Sequence, residues 1–313
     1  MDIIIFIISL FVLIKGADLL ISQAEKIALY FGISQYVIGA TLIAIGTSLP
    51  EMAASISASI NHKPLLALSN VLGSNIINIS LVLGSVFLFA KKINPHRDFF
   101  AKDSSWALFP VLLFIAIIIK GYITIFDGFI LIGLMGAYIL FLFKNQDEVL
   151  ELAQEELKDI KKEQFDWKRS LILSIIALIL VIKGADYTIE SASNIAKSFG
   201  ISEWIVGILL VAFGTSLPEL VVSIMAAKSN KADMAIGNII GSNMANITMV
   251  LGSAALFGKI ELNLTKYLFD LSMLVIVTLM LVFITANRLY SKPAGISLLL
   301  IFALFIEHIL LAI

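Results

Sequence analysis

An all-α membrane protein of ten transmembrane helices, arranged as two inverted-topology repeats of five, is the fold class this sequence predicts. Composition, a self-similarity at a fixed offset, and an odd helix count in each half point to it. Of the 313 residues, 59% are hydrophobic and only 14% charged, with a mean hydropathy of +1.00. Soluble domains carry about 25% charged residues, so the composition is that of a polytopic membrane protein. Runs such as 3–14, 171–182 and 271–285 are apolar on every side, as helices immersed in lipid must be. The first run lacks a basic leader and a small-residue cleavage site, and reads as a retained helix rather than a signal peptide. With no cysteine, disulfides, thiolate metal sites and thiol nucleophiles are excluded, and a net charge of −1 points to no nucleic-acid partner.

Sliding the chain against itself by 168 residues reveals the repeat. "KGAD" at 15–18 returns at 183–186, "FGIS" at 31–34 at 199–202, and "GTSLPE" at 46–51 at 214–219. "NVLGSNIIN" at 70–78 meets "NIIGSNMAN" at 238–246, and roughly half the positions between 14 and 89 match their counterparts. Such internal duplication is a frequent building rule of transporters.

In the first half, residues 1–143, the helices are predicted at about 2–22, 36–60, 66–90, 105–123 and 126–143. In the second, residues 169–313, they fall at about 169–190, 204–228, 234–257, 266–286 and 294–312. Five helices per repeat force the second copy to insert upside down relative to the first. Residues 144–168 form a polar cytoplasmic connector, a solvated linker with some helix that includes Glu155, Glu156, Lys161 and Lys162. With both termini outside, fifteen Lys and Arg residues fall in cytoplasmic loops and five in outside loops. That bias sets the orientation. The chain is read as a multi-pass, monomeric protein of the cell (inner) membrane.

The repeated hexapeptide is costly. A charged side chain near the middle of a membrane helix costs about 2.5–3.5 kcal/mol on insertion scales. Glu51 and Glu219 each incur that cost, and no Lys or Arg lies near the centres of the second, third, seventh or eighth predicted helices. The compensating charge is therefore a mobile cation. Pro50 and Pro218 have no amide hydrogen, which frees the carbonyls of Gly46 and Gly214. Freed carbonyls at membrane depth survive where they face a cavity, and there they coordinate cations. Thr47 and Ser48 stand four and three residues before Glu51, and Thr215 and Ser216 stand likewise before Glu219, bringing hydroxyls to each carboxylate's side. Opposite them, Asn70, Ser74 and Asn78 recur at spacing four, and Asn238, Ser242 and Asn246 repeat the stripe. Gly73 and Gly241 are expected to allow close backbone approach. Every donor in this set is oxygen, which suits a hard cation, and a flexible cage of many oxygens favours calcium over magnesium.

On these residues the sequence resembles the sodium/calcium exchangers of the cation/calcium exchanger superfamily, in particular the compact archaeal and bacterial members. The likeness spans almost the whole chain and rests on the paired "GTSLPE" and "GSN-x-x-N" segments. It implies a secondary antiporter, not an enzyme and without a cofactor, that exchanges Ca2+ for Na+ by alternating access through one shared midplane site. It implies that Glu51 and Glu219 bind calcium and that Ser74 and Ser242 help to form flanking sodium sites. Carried over residue by residue, Thr47, Thr215, Ser48, Ser216, Asn78 and the main-chain oxygens of Ala44 and Ala212 join them. It further implies that the first and sixth helices slide as a bundle across a fixed core. In one respect the sequence departs from some members: Asn246 stands where they carry an aspartate. With both glutamates ionised the site then holds −2, matched by one calcium or two sodium ions. That balance calls a three-to-one stoichiometry into question. The alternatives are a Ca2+/H+ exchanger using the same two glutamates and, behind it, a passive cation channel.

Elsewhere the reading is structural. Lys15 with Asp18 and Lys183 with Asp186 are expected i, i+3 ion pairs, with a gating role on the sliding helices as the alternative; Asp127 and Asp270 are expected helix-end residues, and Glu25 a surface residue. His62, His96 and His308 are scattered and form no metal site.

Overall fold

The computed structural model describes residues 2–90, 98–145, 166–198, 214–265 and 267–311. The described residues are almost entirely helical: α1 (Asp2–Phe31), α2 (Gln35–Thr47), α3 (Leu49–Ile60), α4 (Pro64–Phe89), α5 (Phe99–Ile118) and α6 (Ile125–Lys144). After the connector come α7 (Trp167–Ser198), α8 (Leu217–Lys228), α9 (Ala232–Leu256), α10 (Leu268–Ala286) and α11 (Lys292–Leu311). Seven of these are long and apolar enough to cross a membrane, and eight if α2 and α3 count as one bent span. The expected connector residues 146–165 and the first part of the predicted helix 204–228 lie outside the described residues. The protein is an all-α multi-pass membrane protein. Its single described sheet is a short antiparallel ladder, β1 (Tyr122–Ile123) with β2 (Ile260–Glu261), pairing Tyr122 with Glu261.

Burial sorts the helices into a centre and a shell. Along their most apolar stretches 83% of α4 and of α9 is buried, against 28% of α1, 33% of α7 and 17% of α11. The two most buried helices are those carrying the Asn/Ser stripes. They meet directly, Asn243 Nδ2 donating to the carbonyl of Asn75 at 3.3 Å. The shell helices turn apolar side chains outward, with Ile3, Ile7, Phe11, Ile172, Ile179 and Leu300 more than half exposed. That surface is what lipid solvates.

The helix starts and breaks follow from local chemistry. Predicted as one helix over 36–60, the second segment is split at Ser48, whose φ of −84° and ψ of 4° lie outside the helical well. The two pieces meet at 43°. Pro50 does not kink a continuous helix. It falls in the first turn of α3, where a missing N–H costs nothing. Ser216, with φ −89° and ψ 2°, precedes α8 in the same way, and Pro218 takes the equivalent place. Asp127 caps the start of α6 through a reciprocal capping box with Thr124 and accepts from Lys120 Nζ at 2.7 Å. Asp270 sits in the first turn of α10.

"KGAD" places glycine where α1 and α7 cross. A Cβ on Gly184 would come within 2.8 Å of the Leu13 backbone, so only glycine permits this approach. The lysines and aspartates of the two motifs pair as expected, Lys15 with Asp18 at 3.6 Å and Lys183 with Asp186 at 3.2 Å. Gly241 likewise lets α9 meet α2, since its Cβ would lie 2.5 Å from the Ala40 carbonyl oxygen. For Gly73, nothing among the described residues lies within 4 Å of its Cβ position. The position matching Ala40 in the second half, residue 208, is outside the described residues.

Candidate cation site

The breaks at Ser48 and Ser216 place Glu51 and Glu219 in the first turns of α3 and α8. There the positive end of the helix dipole favours negative charge. Both side chains are completely buried, and the two carboxylates are near enough to interact electrostatically. Ser48 Oγ donates to Glu219 Oε1 at 3.2 Å, so the first "GTSLPE" reaches the glutamate of the second. Thr215 faces Glu51 and Thr47 faces Glu219 in the same crossed fashion.

A second set of bonds holds this arrangement from behind. Asn70 Nδ2 donates to Ser55 Oγ at 2.9 Å and to the Glu51 carbonyl at 3.3 Å, while its Oδ1 accepts from Thr215 at 3.4 Å. Asn238 repeats the pattern, donating to Ser223 at 2.9 Å and facing Thr47 Oγ1 at 3.5 Å. Each threonine is thus fixed by the asparagine of the other half.

Helices α4 and α9 both change to π-helical winding where they pass the glutamates, over Asn78–Leu83 and Asn246–Val250. Such turns are rare and concentrate at functional sites. Each begins on the asparagine of the stripe. The turn starting at Asn78 packs on α8, and the one starting at Asn246 packs on α3, so each asparagine's segment faces the glutamate helix of the other half.

Seven fully buried oxygens here accept no hydrogen bond: Glu51 Oε1 and Oε2, Glu219 Oε2, Ser216 Oγ, Ser242 Oγ, Asn78 Oδ1 and Asn246 Oδ1. Leaving a buried polar atom unpaired costs about 1–3 kcal/mol, more for a charged one. Folded proteins keep few such atoms, and a concentration of them marks a place built for a ligand. They are carboxylate, hydroxyl and amide oxygens, the donor types that hard cations such as Ca2+ take. Among the described residues no group of three or more His, Asp or Glu is placed to hold a metal ion, and Glu51 and Glu219 are the two carboxylates with no exposure at all.

Of the other expected site residues, Ser74 is buried one turn before Asn78. Ala44 is buried too, but its carbonyl already accepts from the Ser48 N–H at 3.0 Å and the Thr47 hydroxyl at 3.3 Å. Ala212 lies outside the described residues. Ser55 and Ser223 escaped the sequence reading, although each stands four residues after a repeated glutamate and 168 from the other. A cavity of about 660 Å3 reaches this region between α3, α4, α7 and the start of α8, and is lined by Asn70, Thr215, Asp186 and Glu190.

A family model described as "Sodium/calcium exchanger protein" matches residues 1–144 and 169–311. The chain belongs to the sodium/calcium exchanger family. Among its relatives is the sodium/calcium exchanger MaX1 of Methanosarcina acetivorans, 30% identical over 345 residues, covering 96% of either chain. The inner membrane protein YrbG of Escherichia coli is 32% identical over 301 residues, covering 95% of this chain and 92% of that one. In structure this exchanger is similar to the sodium-calcium exchanger NCX_Mj soaked with 10 mM Na+ and no Ca2+. The TM-score is 0.81 at 33% identity over 98% of each chain. Family and structure together support calcium/sodium antiport across a membrane by a transporter of the compact prokaryotic type.

Proposed function

We propose that the exchanger moves Ca2+ out of the cell against Na+ entering down its gradient, with both ions using the site between Glu51 and Glu219 in turn. The buried cluster of unpartnered oxygens around two carboxylates carries this reading. Glu51, Glu219, Thr47, Thr215, Ser48, Ser216, Asn78, Asn246, Ala44 and Ala212 form the cage, and Ser74 and Ser242 contribute to flanking sodium positions. Because one cage serves both ions, occupancy by Na+ displaces Ca2+, and competition couples their movements.

Access alternates. The chain is two five-helix repeats, 1–143 and 169–313, of opposite orientation, joined by the cytoplasmic connector 144–168. The family match, which leaves 145–168 unmatched, supports that division. The crossed pairs Thr47–Asn238 and Thr215–Asn70 support a two-fold relation between the halves. Helices α1 and α7, locked together at Gly184, slide as a unit over the core of α3, α4, α8 and α9. With both termini outside, the 660 Å3 cavity lies on the extracellular side of the site.

The neutrality of buried Asn246 favours a second reading, in which protons replace sodium as the coupling ion. Purified protein in liposomes loaded with Ca2+ separates the two. An inward Na+ gradient drives efflux if the proposal holds. Efflux driven by a proton gradient in sodium-free buffer, with none driven by Na+, overturns it in favour of the proton exchanger.

A further inference from the structure

The two halves present a lysine in the same way but answer it differently. Lys63 and Lys231 stand 168 residues apart, each just before a core helix. The turns that display them are alike. His62 and Asn230 have φ of 58° and 60°, and the Lys63 and Lys231 N–H groups bond the Ala58 and Ala226 carbonyls at 2.8 and 2.9 Å. Lys231 forms an ion pair with Glu25 near the end of α1. The position matching Glu25 in α7 is Ser193, which has no charge to offer Lys63.

The packing around the two lysines is equally one-sided. Helix α1 lies directly along α8, whereas α7 stands away from α3 and the 660 Å3 cavity occupies the space between. Ala54 and Ala58 line that cavity, and Ala54 is exposed. Their counterparts Val222 and Ala226 are no more than 1% exposed. One face is open and the other sealed, and Glu25–Lys231 lies on the sealed face.

We propose that Glu25 and Lys231 form a one-sided latch. It fastens α1, and with it the α1/α7 unit, to the turn between α8 and α9, and so makes the state open on the α3/α7 side the resting state of the exchanger. The inference rests on the alternating-access reading above. In the opposite state α7 closes on α3 and α1 leaves α8. Glu25 then loses Lys231, and the position matching Glu25 in α7 carries no carboxylate to replace that pair. The pair, whose side chains are 26% and 22% exposed, thus adds a bias toward the end state that keeps it. A pair of this exposure shifts an equilibrium by roughly two- to fivefold.

The absence of cysteine makes the test direct. Ala226→Cys reports the sealed face and Ala58→Cys the open one, each read as the rate of labelling by a water-soluble maleimide on the purified full chain. Glu25→Gln and Lys231→Met should each speed labelling at 226 about two- to fivefold and slow it at 58, and the swap Glu25→Lys with Lys231→Glu should restore both rates. Ser193→Glu, which supplies the missing carboxylate opposite Lys63, should slow labelling at 58 in the otherwise unaltered chain. Unchanged rates in both single variants overturn the latch, as do single-variant effects that the charge swap fails to reverse. Calcium binding measured on the same samples keeps the two readings apart: a failed latch with binding intact leaves the cation site standing.

Discussion

Replacing Glu219 by glutamine removes one negative charge while changing little else. The amide keeps an oxygen for Ser48 Oγ, now 3.2 Å from Glu219 Oε1, and the side chain keeps its length in the first turn of α8. The remaining charge on Glu51 then faces a divalent cation alone. Removing one partner of a buried charge pair costs about 3–5 kcal/mol. At about 1.4 kcal/mol per tenfold, Ca2+ affinity should fall by roughly 100- to 4000-fold. Glu51→Gln should do the same within a few-fold, since the proposed cage draws one carboxylate from each repeat. Equilibrium binding of radioactive calcium to detergent-solubilised protein reads the affinity, and sodium-driven flux in liposomes reads the consequence. Thermal unfolding close to that of the parent shows that the fold has survived. Either variant binding Ca2+ within threefold of the parent and exchanging at the parent rate would refute the two-carboxylate site.

Three further predictions follow from the same geometry. Asn70→Ala and Asn238→Ala strand Ser55 and Ser223 and loosen the opposite threonine, so each should weaken Ca2+ binding by about 1–3 kcal/mol without abolishing exchange, as titration calorimetry would read. With two carboxylates matched by two sodium ions, exchange should carry no net current. Asn246→Asp adds a third charge and should make exchange electrogenic in solid-supported-membrane recordings; equal currents in parent and variant would contradict this. Asp98 caps α5 by accepting from the Ala101 N–H, and this bond, aided by Arg288, holds its carboxyl below the usual aspartate range. A depressed folded-state value contributes stability that is present above the unfolded pKa of about 3.9 and is lost as pH falls below it. Asp98→Asn should accordingly flatten the acid limb of the stability–pH profile.

Much of the candidate site was legible because duplication wrote it twice. Glu51 with Glu219, and the Asn/Ser stripes, stood out as polar residues repeated at one offset in apolar surroundings, and they share the interior of the structure. What stayed hidden depends on tertiary contacts. The π-helical turns at Asn78 and Asn246 leave no mark in a periodicity of 3.6, since one extra residue per turn is imposed by packing on the opposite half. Helix α1, predicted to stop near 22, runs to Phe31, and Glu25 in the added length, read from sequence as a surface residue, pairs with Lys231. Ser55 and Ser223 looked like ordinary small residues until the asparagines reached them. The pairing of Tyr122–Ile123 with Ile260–Glu261 joins segments too short to carry a strand pattern.

Diffraction from crystals equilibrated with Ca2+, using the metal's anomalous signal, tests the central claim most directly. One peak should lie within about 2.3–2.6 Å of carboxylate oxygens from both Glu51 and Glu219, and Na+ in excess should remove it. A calcium peak bound by only one of the two glutamates, or found elsewhere in the protein, would contradict the account.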